Sequence, residues 1–237
     1  MSPRNVLVVA AHPDDEYLGC GGTLLRHVAN GDHVHIMILA EGLTSRDQHR
    51  DVDRRKGELS ALHHSSQMAA DLLGADSLRL CSFPDNRMDS VDLLDVVKCV
   101  EEQIESVNPS IIYTHHAGDV NVDHLITHKA VITAARSLPG SRVERLIFFE
   151  TVSSTEWQIQ NAKDAFFPNW FVQIDEFIAK KIALLRCYDS EMKAYPHPRS
   201  YDGVEYLARY RGQIVGVKYA EAFSLGRNIL REGSTML

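Results

Sequence analysis

The strongest constraint on the fold of this chain lies in its first sixteen residues, where an apolar run ends in a cluster of ionisable side chains. Residues 6–10 read Val-Leu-Val-Val-Ala, a continuous apolar run that is typical of a strand buried on both faces. Residues 11–16 follow at once as Ala-His-Pro-Asp-Asp-Glu. Because ligand sites of open parallel sheets lie beyond the carboxyl ends of the strands, the pattern predicts a parallel sheet with ionisable groups at its binding edge.

A bound cation is the simplest reason for one imidazole and three carboxylates within a single turn. Negative charges at such close range repel one another unless positive charge lies between them, and divalent metals take His and Asp as ligands. Ordinary turn chemistry explains the same residues, because Pro and Asp favour turns and acidic side chains are favoured in the first turn of a helix. This first cluster therefore favours a metal site and leaves the plain turn open.

A second cluster of similar chemistry occurs more than a hundred residues later. Residues 121–124 read Asn-Val-Asp-His, and they follow a predicted strand at 111–113 and a polar loop. They also open an apolar-periodic segment, residues 124–136, that predicts a helix. Both clusters are then expected at the carboxyl ends of parallel strands, on one edge of one sheet. The pairing favours the metal site over the plain turn.

The two clusters together resemble the signature of the PIG-L/LmbE-like family of metal-dependent N-deacetylases. That family carries an AHPDDE-like motif after its first strand and a later motif of His or Asn, any residue, Asp and His. Residues 83–89, Phe-Pro-Asp-Asn-Arg-Met-Asp, are similar to its PDxRxD loop, and residues 219–223, Tyr-Ala-Glu-Ala-Phe, to its C-terminal YAEAF segment. The resemblance extends over residues 5–225.

The resemblance, carried over position by position, implies a metal centre and a general base. His12, Asp15 and His124 are the implied metal ligands, and Asp14 is left unligated beside the metal-bound water as the base. Zn²⁺ is the expected cofactor, and Fe²⁺ or Co²⁺ would suit the same donor set. The implied mechanism is attack of a metal-activated water on an amide carbonyl.

Asn121 marks a departure from the commonest form of the family, in which many members carry His at this position. Asn can donate a hydrogen bond to an oxyanion but cannot supply a proton at neutral pH, so we expect Asn121 to act as an oxyanion donor. The proton donor for the leaving amine is left open. The candidates are Asp14, which would return the proton it took, His128, one turn beyond His124, and His115 or His116 on the adjacent loop.

Four further residues are expected to support the site. Arg46 and Arg87 lie on loops predicted to follow the second and third strands, where each would bind a substrate phosphate or carboxylate, unless it is a solvated loop arginine. Asp123 is expected to support the loop or a neighbouring imidazole by a hydrogen bond, although a helix N-cap explains it equally well. Glu16 is expected either to orient a ligand or to favour the start of the following helix electrostatically.

Composition and charge limit the classes of partner that the protein is expected to bind. The formal net charge is −7, with Lys and Arg scattered along the chain, which argues against nucleic acid or an anionic membrane as the main partner. The four cysteines form no Cys-x-x-Cys pair and are expected to be reduced. The sequence shows no leader pattern and no apolar stretch near the roughly 18 residues of a spanning helix. We expect a cytoplasmic protein that acts on a small molecule and that is free to form a homo-oligomer.

The order of predicted elements indicates the fold. Strands and helices alternate through the first half of the chain, which implies right-handed crossovers and a Rossmann-like α/β fold, a mostly parallel sheet with helices on both faces. Past a fifth strand at 145–150, the pattern predicts a short strand at 171–174 and helices at 175–188, with Asp175 as N-cap, and at 201–215. We expect residues 1–237 to form a single domain, with residues from about 175 to 237 as its helical C-terminal extension.

The sequence as a whole predicts a zinc-dependent hydrolase that removes an N-acetyl or other acyl group from an amino sugar, sugar nucleotide or sugar conjugate. Two alternatives remain at this point. The first is an amidase or esterase that uses the same water activation on another acyl conjugate. The second is a noncatalytic sugar- or metal-binding protein, which the presence of Asp14 disfavours.

Overall fold

A seven-stranded sheet forms the centre of the molecule and takes strands from both ends of the chain. The computed structural model describes residues 3–159 and 161–231. The first five strands in chain order are parallel, and the seventh runs antiparallel to both of its neighbours. The spatial order is β3-β2-β1-β4-β5-β7-β6. The strands are β1 (Asn5–Ala10), β2 (His33–Ala40), β3 (Ser77–Phe83), β4 (Ile111–His115), β5 (Arg145–Phe149), β6 (Trp170–Gln173) and β7 (Ala220–Asn228).

Helices cover both faces of this sheet, which confirms the Rossmann-like α/β fold expected from the sequence. One apolar core lies between the sheet and α1, α2, α5 and α6, and a second lies between the opposite face and α3 and α4. No helix in residues 3–159 or 161–231 combines the length and apolar character needed to cross a bilayer. The helices are α1 (Asp15–Ala29), α2 (Lys56–Leu73), α3 (Leu93–Val107), α4 (Val122–Ala134), α5 (Ile178–Arg186) and α6 (Tyr201–Val215).

Strand β1 lies between the two cores and determines where the site forms. Val6 and Val8 pack into one core, whereas Leu7 and Val9 pack into the other, and all four side chains are fully buried. This two-sided burial is why the strand is an uninterrupted apolar run. β1 pairs with β2 on one side and with β4 on the other, so the direction of the strand order reverses beside it. The turn after β1 and the loop after β4 therefore meet at this switch point.

The C-terminal part of the chain differs from the prediction in two ways. The described part of the C-terminal segment, residues 175–231, is not an all-helical extension, because β7 inserts into the sheet between β5 and β6. Residues 232–237 of the predicted extension lie outside the described residues. Asp175 is not the N-cap of a helix over 175–188, since α5 begins only at Ile178. The Asp175 carboxylate instead accepts hydrogen bonds from the backbone N–H of Tyr219, at 2.8 Å, and from Gln173. Both differences reflect long-range contacts that local periodicity does not encode.

The YAEAF-like segment at the start of β7 contains a buried glutamate, Glu221, that contacts two helices. Helix α1 is interrupted at Cys20, whose φ of −142° is not helical, so its second half exposes backbone N–H groups that lack helical partners. The Glu221 carboxylate accepts from the N–H groups of Gly22 and Thr23, at 2.8 and 2.7 Å. Lys181 Nζ of α5 lies 2.6 Å from the same carboxylate and balances its charge. Glu221 thus connects β7, α1 and α5.

We predict that Gly19→Ala destabilises the protein because α1 and β5 approach each other closely at this glycine. A Cβ at Gly19 would lie 2.2 Å from Cδ2 of Phe149, whose ring is fully buried. Overpacking of this kind costs about 1–3 kcal/mol, more than Ala gains in helix propensity. Gly57→Ala in α2 is the matched control, because no atom lies within 4 Å of its added Cβ. Urea unfolding should show a lower free energy of unfolding for Gly19→Ala and an equal or higher one for Gly57→Ala; equal values for Gly19→Ala and wild type would contradict the close approach.

Candidate active site

The turn between β1 and α1 is held in a backbone conformation that residues other than glycine rarely adopt. Asp14 has a φ of 106°, in the left-handed region, at the N-terminus of α1. Its backbone N–H donates to Glu16 Oε2 at 3.0 Å, and Tyr188 Oη donates to Glu16 Oε1 at 2.8 Å. Non-glycine residues persist at such angles only where their surroundings enforce them. Glu16 therefore supports the turn itself and does not contact a ligand imidazole.

This turn sends the side chain of Asp15 towards two imidazoles. Asp15 Oδ2 lies 3.1 Å from His12 Nδ1 and 3.2 Å from His124 Nε2. Four-coordinate zinc with bonds of about 2.0–2.1 Å places its ligand atoms roughly 3.3 Å apart, so the spacing suits such an ion. Asp15 Oδ1 and His124 Nε2 are buried without a hydrogen-bond partner. Buried polar atoms that lack a partner within the protein fit a site at which a bound cation would be their partner.

Carboxylates also face the outer nitrogens of both imidazoles. His12 Nε2 lies 3.0 Å from Asp123 Oδ2, and His124 Nδ1 lies 3.0 Å from Asp119 Oδ2, although the second pair is not aligned as a hydrogen bond. Histidines that bind metals commonly donate their other ring nitrogen to a carboxylate, which fixes the orientation of the ring. The Asp123 contact is the one that the sequence analysis expected, whereas Asp119 was not singled out.

A second group of potential ligands surrounds the other nitrogen of His12. His12, Asp85 and Asp123 each offer an atom within 4.8 Å of the other two. The Asp123 oxygens, however, already accept from the backbone N–H groups of Asn86 and Met88, at 2.6 and 2.9 Å. Because these lone pairs are occupied, this group fits a hydrogen-bonded support of the loop after β3 better than a metal site.

The protonation states of His12, Asp15 and His124 depend on one another. Burial favours a neutral imidazole, but the carboxylates overcome it: Asp123 and Asp15 raise the pKa of His12 well above its usual value. Asp15 and Asp119 likewise raise the pKa of His124 to about 9 against the effect of burial. In turn, burial alone would raise the pKa of Asp15, but His124 and His12 hold it well below its usual value. A cation bound by the same atoms would displace these imidazole protons.

A polar cavity of about 200 Å³ opens beside this cluster. Asp14 Oδ2 lies 3.3 Å from Arg199 Nη1, and Asp14 Oδ1 is buried without a hydrogen-bond partner. Burial raises the pKa of Asp14 to about 7, although the Arg199 guanidinium lowers it. Asp14 therefore has the free oxygen and the tuned acidity of a proton acceptor. The residues that matter for chemistry in the lining are His12, Asp14, Arg46, Asn121, Glu191 and Arg199.

The remaining predicted residues divide between the cavity and its supports. Asn121 lines the cavity and caps α4: its Oδ1 accepts from the Asp123 N–H, and its Nδ2 donates to Asn86 Oδ1, both at 2.9 Å. Arg46 also lines the cavity. Arg87 is not part of the lining, because its Nη2 donates to the carbonyl oxygens of Asp47 and Gln48 at 3.3 and 3.0 Å. It fixes the backbone of the Arg46 loop.

The structure brings none of the three candidate histidine acids into the lining of this cavity. His128 Nδ1 lies 2.8 Å from the carbonyl oxygen of His115, so it donates to that backbone. His115 Nε2 accepts from the Ala11 N–H at 2.9 Å, and burial lowers the pKa of His115 well below its usual value. His116 Nε2 lies 2.9 Å from the carbonyl oxygen of Asp164. Each ring is thus engaged by the backbone.

Several contributors to the site were not found by reading the sequence. Asp119 and Asp85 lie close to the quoted motifs, and their proximity to predicted ligands was a usable signal. Glu191 and Arg199 carry no such signal, because they follow α5 in a segment more than 170 residues from the first motif. Tyr188, which holds Glu16, lies in the same region of the chain.

Comparison with known proteins finds named deacetylases among those that the chain is similar to. The chain is 28% identical over 193 residues to an uncharacterized deacetylase, YaiS, of Escherichia coli strain K12, a match that covers 79% of this chain and 91% of that protein. It is 24% identical over 206 residues to a probable N-acetyl-alpha-D-glucosaminyl L-malate deacetylase of Bacillus anthracis, covering 85% of this chain and 88% of that protein. Its fold is similar to that of N,N'-diacetylchitobiose deacetylase from Pyrococcus horikoshii, with a TM-score of 0.75, 18% identity and coverage of 95% and 85%.

The family assignment rests on the N-terminal half of the sheet together with both motif clusters. Residues 7–135 match the PIG-L family, described as GlcNAc-PI de-N-acetylase. This segment extends from within β1 through β4 and includes the turn at Asp14 and the first turn of α4, which carries His124. The chain therefore belongs to the PIG-L family of de-N-acetylases.

Proposed function

We propose that this protein is a metal-dependent hydrolase that removes an N-acetyl group from an amino sugar or sugar conjugate. The observation that carries the proposal is the position of Asp14, which lines a cavity beside the His12, Asp15 and His124 cluster and keeps one buried oxygen, Oδ1, without a hydrogen-bond partner. A noncatalytic binding site has no need for a buried carboxylate oxygen without a partner next to a set of metal ligands.

His12, Asp15 and His124 are proposed to hold the cation, and Zn²⁺ suits their donor atoms. When bound there, a divalent cation would polarise the amide carbonyl and lower the pKa of a water molecule towards ~7. Asp123, by contact with His12, fixes the ring of that ligand. The three proposed ligands thus come from both motif clusters, which meet at the switch point of the sheet.

Asp14 is proposed as the group that moves the proton. Its free Oδ1 accepts a proton from the attacking water, and Arg199 stabilises the ionised carboxylate from the other side. The same carboxyl group then protonates the departing amine, because His115, His116 and His128 are each engaged by backbone groups outside the cavity. A single bidirectional acid and base therefore suffices for the reaction.

Asn121 and the polar lining are proposed to orient the substrate. The Asn121 side-chain amide is fixed by its N-cap contact and by Asn86, so its Nδ2 group is preorganised as a donor to the carbonyl oxygen that becomes negative. Sugar hydroxyls suit a lining made mostly of carboxylates, amides and guanidinium groups. Two of the relatives described above are named for N-acetylglucosamine-type substrates, which supports this substrate class.

We predict that acetate release from N-acetylated sugars depends on a divalent metal. The purified protein, assayed against a panel of N-acetyl sugars and sugar conjugates, should lose activity after dialysis against a chelator and recover it with Zn²⁺ or Co²⁺. Metal content is measured in parallel, with about one equivalent expected in the active protein. Full activity in a protein stripped of metal would disprove the proposal.

A second prediction separates the base from the ligands. Asp14→Asn should retain the metal and the fold while activity falls by roughly 10²- to 10⁴-fold, the usual contribution of a positioned general base. Asp15→Ala should lose the metal itself, because the Asp15 carboxylate faces both imidazoles. Metal analysis and circular dichroism of both variants check the two outcomes. Loss of metal in Asp14→Asn with retention in Asp15→Ala would reverse the assignment of the two neighbours.

A third prediction concerns Arg199, which lowers the pKa of Asp14. Because the base must be ionised, activity falls as the pH drops through the pKa of Asp14. Arg199→Met removes the neighbouring positive charge, so that pKa rises and the acid limb of the pH profile of kcat/KM moves to higher pH. Arg209→Met, at an exposed position on α6, is the control and should leave the limb in place. An unchanged limb in Arg199→Met would exclude an electrostatic role for Arg199.

A further inference from the structure

The rim of the cavity contains an ion pair that the proposed reaction does not use. Arg46 Nη2 lies 2.9 and 2.7 Å from the two carboxylate oxygens of Glu191. Arg46 belongs to the loop after β2, and Glu191 to the segment after α5, so the pair joins two separate parts of the chain across the cavity. The Glu191 side chain is only 12% exposed, whereas that of Arg46 is 44% exposed.

The remaining charges of the lining leave no unpaired cation for an acidic ligand. The other lining guanidinium, Arg199, faces Asp14 at 3.3 Å. Asp85 adds a third lining carboxylate: its oxygens accept from the Ser45 N–H at 2.9 Å and from Asn86 Nδ2 at 3.0 Å, and its Oδ1 lies 3.4 Å from His12 Nε2. The described lining therefore holds three carboxylates and two guanidiniums, leaving His12 aside.

We propose that Glu191 is a specificity-determining residue that occupies Arg46 and thereby restricts the cavity to neutral N-acetylated sugars. This inference rests on the proposed function and narrows its substrate class. A substrate carboxylate or phosphate would have to take Arg46 from Glu191 and leave that carboxylate unpaired at the rim. A neutral sugar leaves the pair intact, since its hydroxyl groups donate to the carboxylate oxygens of Glu191 and Asp85.

Conjugates of one sugar that differ in charge and otherwise only by two methyl groups would test the proposal. The anionic probe is N-acetyl-α-D-glucosaminyl L-malate, and the neutral probe is its dimethyl ester. With the zinc-loaded protein, kcat/KM for the ester should exceed that for the dianion by about fivefold, the upper range for a partly exposed charge pair. Because both probes undergo the same chemical step, the ratio of the two values reports recognition alone.

Variants of the pair give the decisive comparison. Glu191→Ala should raise kcat/KM for the dianion relative to the ester by about fivefold, because it frees Arg46. Adding Arg46→Met to Glu191→Ala should abolish that gain. Glu102→Ala is the control, since Glu102 of α3 pairs with Arg79 of β3 and neither residue lines the cavity, so the ratio should not change. A wild-type ratio near one, or an unchanged ratio in Glu191→Ala, would overturn the proposal.

Binding measurements keep this inference separate from the proposed function. If wild-type protein releases acetate from neither probe, nor from other N-acetyl sugars, the proposed function fails. The preference can still be measured by calorimetric titration of both probes into zinc-loaded Asp14→Asn, with and without Glu191→Ala. Weaker binding of the dianion that Glu191→Ala relieves supports the role of Glu191, and equal binding of the two probes in both proteins refutes it.

Discussion

The site depends on the left-handed turn at Asp14. Two adjacent carboxylates serve different purposes only if the backbone between them changes direction, and the φ of 106° at Asp14 provides that change. Glu16 holds the turn through the Asp14 N–H, and Tyr188 holds Glu16. As a result, Asp15 faces His12 and His124, while Asp14 lines the cavity and keeps one oxygen without a hydrogen-bond partner. The energetic cost of this backbone conformation is met by contacts from α5 and its following turn, far away in sequence.

Paired charges are the second organising feature. The ligand cluster holds its carboxylates against imidazoles, Asp14 is paired with Arg199, Arg46 with Glu191, and the structural Glu221 with Lys181. Buried charges are stable only when they are compensated. Each of these pairs also joins two separate segments of the chain. The pairs around the cavity involve the proposed base and the proposed specificity residue, whereas the Glu221 pair joins β7 to the helices and does not line that cavity.

Much of the fold and of the metal cluster follows from local patterns. The two-sided apolar run of β1 and the alternation of strands and helices predicted the parallel sheet, and the resemblance to the family predicted which side chains gather at its edge. The prediction failed at 175–231, because β7 is recognised as a strand only through its pairing with β5 and β6. Arg87 was expected to bind substrate, yet the structure uses it to hold the carbonyl groups of the Arg46 loop, a role that residue type cannot reveal.

The sequence by itself determined which residues stand next to buried strands, His12 and Asp15 after β1 and His124 after β4, and the resemblance to the family identified these three as the expected metal ligands. Strand adjacency is a short-range property, since burial and turn chemistry are written in neighbouring residues. Only the tertiary structure decided what faces these groups. Arg199 reaches Asp14 and Glu191 reaches Arg46 across more than 140 residues of chain, and such contacts depend on how α5 and its following segment pack against the sheet. Charge pairing between distant segments leaves no periodic trace in a sequence, so the acidity of the base and the selectivity of the cavity are properties of the folded chain.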